Sequence, residues 1–167
     1  MIAWSPTIRR EATQGLVLLL KREDWKASEG EVLKPMVRDY LADPDPPCRY
    51  FAASALHLIE RDSAQTIGLM RARLCEETDF EVGGTLVAQL ERFVTTHPEL
   101  LDEVLYDAAF EPWLQPFEAV NSQANHTFVR GFVRLVLHLA LANRTPNAVS
   151  LAQSWFEEPW GSKVCDR

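Results

Sequence analysis

Apolar residues recur three and four positions apart along most of this chain, the spacing that places them on one face of an α-helix. No Val/Ile/Thr-rich run alternates apolar and polar positions as a β-strand does, and the 167 residues include only seven glycines. The pattern therefore predicts an all-α protein. The predicted helices cover residues 7–22, 30–42, 47–61, 63–76, 81–96, 98–110, 125–142 and 146–157.

Prolines indicate where these helices begin and end. We expect them at helix boundaries rather than inside helices, because proline lacks the N–H that an interior position donates. A turn is predicted at 43–47. The longest irregular connection is predicted at 111–123, which contains Pro112 and Pro116.

A second regularity is a triplet of apolar or small residues spaced four apart, which occurs four times. Successive copies begin 40, 34 and 47 residues apart, a scatter that spans the period of about 40–47 residues found in two-helix repeats. In three copies the residue after the first position is arginine: Arg9, Arg49 and Arg130. The copies are Ile8, Ala12 and Leu16; Cys48, Ala52 and Leu56; Val82, Leu86 and Leu90; and Val129, Val133 and Leu137.

Residues 32–60, VLKPMVRDYLADPDPPCRYFAASALHLIE, resemble a HEAT repeat, in which an Asp-Pro turn joins two helices and the second opens with an apolar residue and arginine. The resemblance implies an armadillo-like α-α superhelix of about four stacked helical hairpins, with irregular first and last units. The implied units are 1–22, 30–61, 63–96 and 98–142, with 146–167 as a carboxyl-terminal cap. They form one domain, 1–167, either whole or part of a longer array.

Stacked hairpins bury their apolar flanks against their neighbours, so small residues are expected where helices approach closely. Gly15, Ala52, Ala55 and Gly83 are interpreted in this way.

The turn residues have expected structural roles. Asp43 or Asp45 is expected to accept hydrogen bonds from the N–H groups that open the next helix. Arg49 is expected to reach a turn carboxylate in its own or an adjacent unit. We favour structural rather than ligand-binding roles for Arg9, Arg49 and Arg130.

Charge is unevenly distributed around the net value of −7. Residues 76–118 contain eleven Asp/Glu and one Lys/Arg, whereas 119–156 contain three Lys/Arg and no acid. An acidic surface repels phosphate backbones, which makes nucleic acid an unlikely partner and favours a protein with a basic surface. The acidic residues expected to bind this partner are Glu76, Glu77, Asp79, Glu81, Asp102, Glu103 and Asp107.

Arg130, Arg134 and His138 recur every four residues in an otherwise apolar segment, 128–142. Three interpretations are open. The residues form the solvated edge of a buried helix, they pair with the acids at 102, 103 and 107, or they bind an acidic partner.

Trp155 and Trp160 lie near the end of the chain. They are interpreted either as an aromatic cap over the last repeat or as exposed anchors for a partner.

Signatures of chemistry are weak in this sequence. Cys48, Cys75 and Cys165 are too far apart for a CxxC pair, no phosphate-binding loop is present, and no two histidines have metal-ligand spacing. We therefore expect no catalytic residue, cofactor or metal. The longest apolar run, residues 16–20, is too short for a membrane span, and no signal peptide precedes it, so the cytoplasm is the expected location.

The sequence thus favours a non-catalytic protein-interaction or scaffold module. Two alternatives are a helical-repeat nucleic-acid-binding protein of the DNA-repair type and a small enzyme or lyase on a HEAT-like scaffold. Identity of the partner and oligomeric state are not set by the sequence.

Overall fold

The computed structural model describes residues 6–22, 27–59, 62–105 and 123–157. Every regular element in these ranges is helical, which confirms the predicted all-α class. The elements are α1 (Pro6–Leu20), α2 (Ala27–Tyr40), α3 (Pro46–Ser54), α4 (Leu56–Ile59), α5 (Ser63–Glu76), α6 (Phe80–Leu90), a 3₁₀ turn (Glu91–Phe93), α7 (Pro98–Leu105), α8 (Gln123–His138), a π turn (Leu139–Asn143) and α9 (Pro146–Glu157).

The predicted helix at 47–61 is interrupted at Ala55. The Ser54 hydroxyl donates to the carbonyl of Phe51, and the Ala55 N–H bonds to the carbonyl of Ala52, three residues back rather than four. A serine hydroxyl that bonds to a carbonyl of its own helix competes with the backbone and bends the helix. This local contact separates α4 from α3.

Proline is not confined to helix boundaries as expected. Pro35 lies inside α2, on its exposed side. The N–H that proline lacks would have bonded to the carbonyl of Glu31, so the structure carries one fewer helical hydrogen bond there. The sequence rule therefore fails at this position.

The helices pack in two layers. In the first layer, α1 packs against α3, α3 against α6, and α6 against α8. In the second layer, α5 packs against α7 and α7 against α9, while α2 contacts α1, α3 and α4. Between successive helices of the first layer, the chain passes through α2, then through α4 and α5, and then through α7.

Helices of the first layer run in the same direction. Arg10 near the start of α1 bonds to Asp45 just before α3, and Arg49 in the first turn of α3 bonds to Glu77 just before α6. At the other ends of these helices, His57 of α4 contacts Arg92 after α6. We call the side where these helices begin the amino edge and the side where they end the carboxyl edge.

The two middle copies of the repeated triplet lie in the core, as expected from helical spacing. All six of their side chains have no exposed surface: Cys48, Ala52, Leu56, Val82, Leu86 and Leu90. Burying a leucine of this kind contributes about 2 kcal/mol to stability.

In α8 the buried register differs by one residue from the predicted one. Phe128, Phe132 and Val136 are fully buried, whereas the aligned Val129 and Val133 are only half-buried. Because neighbouring positions are both apolar in this segment, the sequence pattern does not determine which of the two points inward.

In α1 the register also moves by one residue, in the opposite direction. Ile8 is 50% exposed and Ala12 is exposed, while Thr13 and Val17 are buried together with Leu16. The Thr13 hydroxyl donates to the carbonyl of Arg9, which satisfies its polar group inside the core.

Close helix contact explains some of the small residues but not Gly15. A Cβ atom built at Gly15 would have no neighbour within 4 Å, so the expectation of close approach there is wrong. Ala52 and Ala55 are fully buried as expected. In α8, a Cβ atom at Gly131 would lie 3.5 Å from Val87 Cγ1, an ordinary van der Waals contact.

Candidate interaction surface

The amino edge contains a buried ion pair between two consecutive hairpins. Arg49 Nε and Nη2 donate to the two carboxylate oxygens of Glu77, each at 2.9 Å. Arg49 Nη1 also donates to the carbonyls of Asp43 at 2.8 Å and Pro44 at 3.1 Å. Arg49 therefore bonds to a turn carboxylate, as predicted, and joins the turn before α3 to the turn before α6.

Glu77 is the centre of this arrangement. Its carboxylate also accepts hydrogen bonds from Arg73 and from the backbone N–H groups of Thr78 and Asp79. Burial by itself would raise the pKa of Glu77, but the hydrogen bonds from Arg49, the Asp79 N–H, Arg73 and the Thr78 N–H outweigh it and lower the pKa from 4.5 to about 2. Glu77 is consequently ionised at any physiological pH.

Two further ion pairs extend the amino edge to α1. Arg10 donates from Nε and Nη2 to Asp45, at 2.7 and 3.0 Å, and Arg9 lies 3.7 Å from Asp43. Asp45 does not cap α3 with its side chain, contrary to one of the two expectations. Asp43 Oδ1 instead accepts from the Asp45 N–H, which stabilises the turn.

The structure corrects the acidic surface predicted from charge. Glu77 and Asp102 are buried and are therefore unavailable to a partner. Asp102 accepts hydrogen bonds from the N–H groups of Asn147 at 3.0 Å and Ala148 at 2.8 Å, and so caps α9. Asp79 is half-buried and caps α6 through the N–H groups of residues 81 and 82.

Three of the predicted acidic residues remain on the surface. Glu76, Glu81 and Glu103 are exposed and lie on α5, α6 and α7. Because α5 contacts both α6 and α7, these residues belong to neighbouring elements. Asp107 lies outside the described residues.

Of the predicted stripe on α8, only one residue has a described ion pair. Arg134 pairs with Glu91 of the 3₁₀ turn after α6, rather than with the acids at 102 or 103. Arg130 is exposed and His138 is half-buried. The sequence pattern did not single out Glu91 as a partner for Arg134, although Glu91 belongs to the acidic segment 76–118.

At the carboxyl edge, an arginine contacts a histidine instead of a carboxylate. Arg92 Nη1 lies 3.1 Å from His57 Nε2 and 3.4 Å from Nδ1, and it donates to Gln89 Oε1 at 3.2 Å. Burial lowers the pKa of His57, and the positive charges of Arg92 and Lys21 lower it further. Two cations thus face a neutral imidazole at this edge.

Trp155 packs on the core rather than standing free. Its ring centroid lies 6.3 Å from that of Phe132, which in turn stacks on Phe128 at 6.2 Å. This contact agrees with the aromatic-cap interpretation for Trp155. Trp160 and Cys165 lie outside the described residues.

The described residues contain no group of three or more His, Cys, Asp or Glu side chains that could hold a metal ion. Cys48 is buried, and its burial raises the pKa of its thiol, while Cys75 is exposed. An open polar groove of about 480 Å³ lies between α2 and α5. Its lining residues are Glu31, Lys34, Pro35, Arg38, Ile59, Asp62 and Gln65.

Within the described part of the chain, none of the helices has the length and apolar character needed to cross a bilayer. No protein-family model, curated protein or solved structure matches this chain.

Proposed function

We propose that this chain is a cytoplasmic, non-catalytic protein-interaction module built as a HEAT-like α-α superhelix of about four stacked helical hairpins. The observation that carries the proposal is the packing order of the first layer, in which α1, α3, α6 and α8 lie side by side in chain order. Stacked hairpins of this kind present an extended surface, which is how helical-repeat proteins bind their partners.

The Arg49–Glu77 pair supports the proposal. It joins the turn before α3 to the turn before α6, and both side chains are buried. Such a bond between consecutive units fixes their relative position. A rigid surface loses less conformational entropy on binding than a mobile one.

The proposed partner is a protein with a basic surface. Glu76, Glu81 and Glu103 would attract it, because exposed acids on adjacent elements create a negative potential that speeds association. The buried acids contribute little to such contacts, since Glu77 and Asp102 are already bonded within the fold.

An affinity capture from the native cell, followed by titration of the purified partner, tests this function. A triple variant, Glu76→Gln, Glu81→Gln and Glu103→Gln, is compared with a control of equal charge change, Thr7→Lys, Gln14→Lys and Ser150→Lys, at positions that are all exposed. We expect about tenfold weaker binding and a shallower salt dependence in the glutamine variant alone. Equal binding by both variants would contradict the role of these acids.

A further inference from the structure

We propose that the carboxyl edge binds an acidic segment of a protein partner, with Arg92, Lys21 and His57 facing its carboxylates. This inference rests on the proposed protein-binding function and assigns a second surface to it. The site is distinct from the exposed acids of α5, α6 and α7, since it lies where α1, α4 and α6 end.

The contacts of Arg92 carry the inference. Its described hydrogen-bond partners, the His57 ring and Gln89 Oε1, are both neutral acceptors. In the described residues no carboxylate lies within ion-pair distance of Arg92 or Lys21. By contrast, the nearby Arg134 is paired with Glu91. Within the described part of the chain, the charges of Arg92 and Lys21 are therefore open to an incoming anion.

Helix dipoles do not remove this positive potential. The carboxyl ends of α4 and α6 carry partial negative charges of about half a unit, which favour nearby cations. The pKa of His57 is nevertheless lowered by Arg92 and Lys21, after the larger effect of burial. Both cations thus act on the imidazole, and an incoming carboxylate would interact favourably with them.

The neighbouring surface favours a peptide over a nucleic acid. Leu18 and Leu19, within one turn of Lys21, are 57% and 39% exposed. They offer apolar contacts to a segment that mixes leucines and acids. The large exposed apolar residues of the described chain include one aromatic, Tyr50, which lies in α3 rather than at this edge. Stacking of single-stranded bases needs such aromatic rings.

A pH dependence follows from the position of His57. The charged groups that face it are Arg92 from the turn after α6 and Lys21, the residue after the end of α1. A bound carboxylate favours the charged imidazole, so the pKa of His57 rises on binding. Because protonation and binding are linked, affinity increases as the pH falls from about 7 to about 5.5, where glutamate side chains remain ionised.

The test is a titration of the whole chain with a synthetic hexapeptide that alternates leucine with pairs of glutamates, followed by NMR of the His57 ring. We expect saturable binding, a higher His57 pKa in the complex, and about tenfold weaker binding in Arg92→Gln. Arg71→Gln, an exposed arginine of α5, is the matched control and retains wild-type affinity.

Three further titrations separate the alternatives. A peptide with glutamines in place of glutamates, and inorganic phosphate, are both expected to bind weakly. Tighter binding of an eight-nucleotide oligothymidylate than of the acidic peptide would overturn the assignment in favour of a nucleic acid. Equal peptide binding by Arg92→Gln and wild type, or no binding at low salt, would also overturn it. These outcomes would leave the proposed function standing, because the capture experiment with Glu76, Glu81 and Glu103 tests a different surface.

Discussion

The two edges of the first layer bond their cations differently. At the amino edge, Arg10, Arg49 and Arg73 each meet a carboxylate. At the carboxyl edge, Arg92 meets a neutral imidazole, and Lys21 adds a second positive charge near it. Ion pairs thus neutralise these arginines at the amino edge, whereas at the carboxyl edge Arg134 has a carboxylate partner and Arg92 has none among the described residues.

This difference separates charges that stabilise the fold from charges that can act on a partner. Arg49 and Glu77 are buried, and a buried pair is costly to break because the remaining charge has no solvent around it. The carboxyl edge loses little if a cation is removed, since no carboxylate there depends on Arg92. Stability measurements on the two edges should therefore differ sharply.

The largest effect is expected for Arg49→Ala. This change leaves the buried Glu77 carboxylate without its bidentate partner, and we expect a loss of about 3–5 kcal/mol in the free energy of unfolding. Urea denaturation followed by circular dichroism measures it. Arg10→Ala, which breaks an exposed pair, is the control and should lower the free energy of unfolding far less. Similar losses in both variants would remove the distinction between buried and exposed pairs.

The second effect is an acid transition centred on Glu77. The pKa of Glu77 is lowered from 4.5 to about 2. The stability that its ionised form contributes is therefore fully present above about pH 4.5 and is lost as the pH falls toward 2. With about 1.4 kcal/mol for each pKa unit, the loss is roughly 3 kcal/mol. Unfolding free energies measured between pH 6 and pH 2.5 show it as a slope. Glu77→Gln should be less stable at neutral pH and should flatten that slope; an unchanged slope would contradict the assignment.

A buried carboxylate in the second layer gives a smaller effect. Asp102→Ala removes the cap of α9 and leaves the N–H groups of Asn147 and Ala148 without their acceptor, so we expect a loss of about 2 kcal/mol. The exposed neighbour Glu103→Ala should change stability by less than about 0.5 kcal/mol. Thermal unfolding of the two variants measures the difference, and equal melting temperatures would refute the capping role.

The smallest effect is expected at the carboxyl edge. His57 has a lowered pKa, so folding disfavours its protonation, and stability declines as the pH falls below about 6.5. Arg92→Gln removes one of the two cations and should raise the pKa of His57, with less than about 1 kcal/mol change in stability at pH 7. NMR titration of the ring measures this pKa. An unchanged or lower pKa in the variant would contradict a direct effect of Arg92 on the ring.

Helical spacing in the sequence was sufficient to predict the all-α class and most helix positions, because three- and four-residue periodicity reports directly on helical faces. A turn carboxylate was also predictable as the partner of Arg49, because the HEAT-like pattern places this arginine near the start of the second helix of the repeat. The superhelix itself stays a prediction. The interruption at Ala55 coincides with local hydrogen bonds that spacing does not report, while the helical spacing over 30–42 continues through Pro35 although the proline rule places it at a boundary.

The acidic surface was harder to predict, because counting charges does not distinguish a buried carboxylate from an exposed one. Glu77 follows α5 in a stretch of acids much like Glu76, yet one is buried and the other has a side chain 73% exposed. Their difference comes from Arg49, which lies 28 residues away in sequence. Similarly, the pairing of Arg134 with Glu91 depends on the packing of α8 against α6.

The bonds of Asp102 have a consequence for the order of folding. They join positions 45 and 46 residues apart, whereas the Arg49–Glu77 bond spans 28. Longer loops cost more entropy to close, so contacts of this span form late. During synthesis on the ribosome, the Arg49–Glu77 bond can therefore form before the start of α9 has been made, and α9 is anchored by Asp102 only after α3 and α6 have been joined.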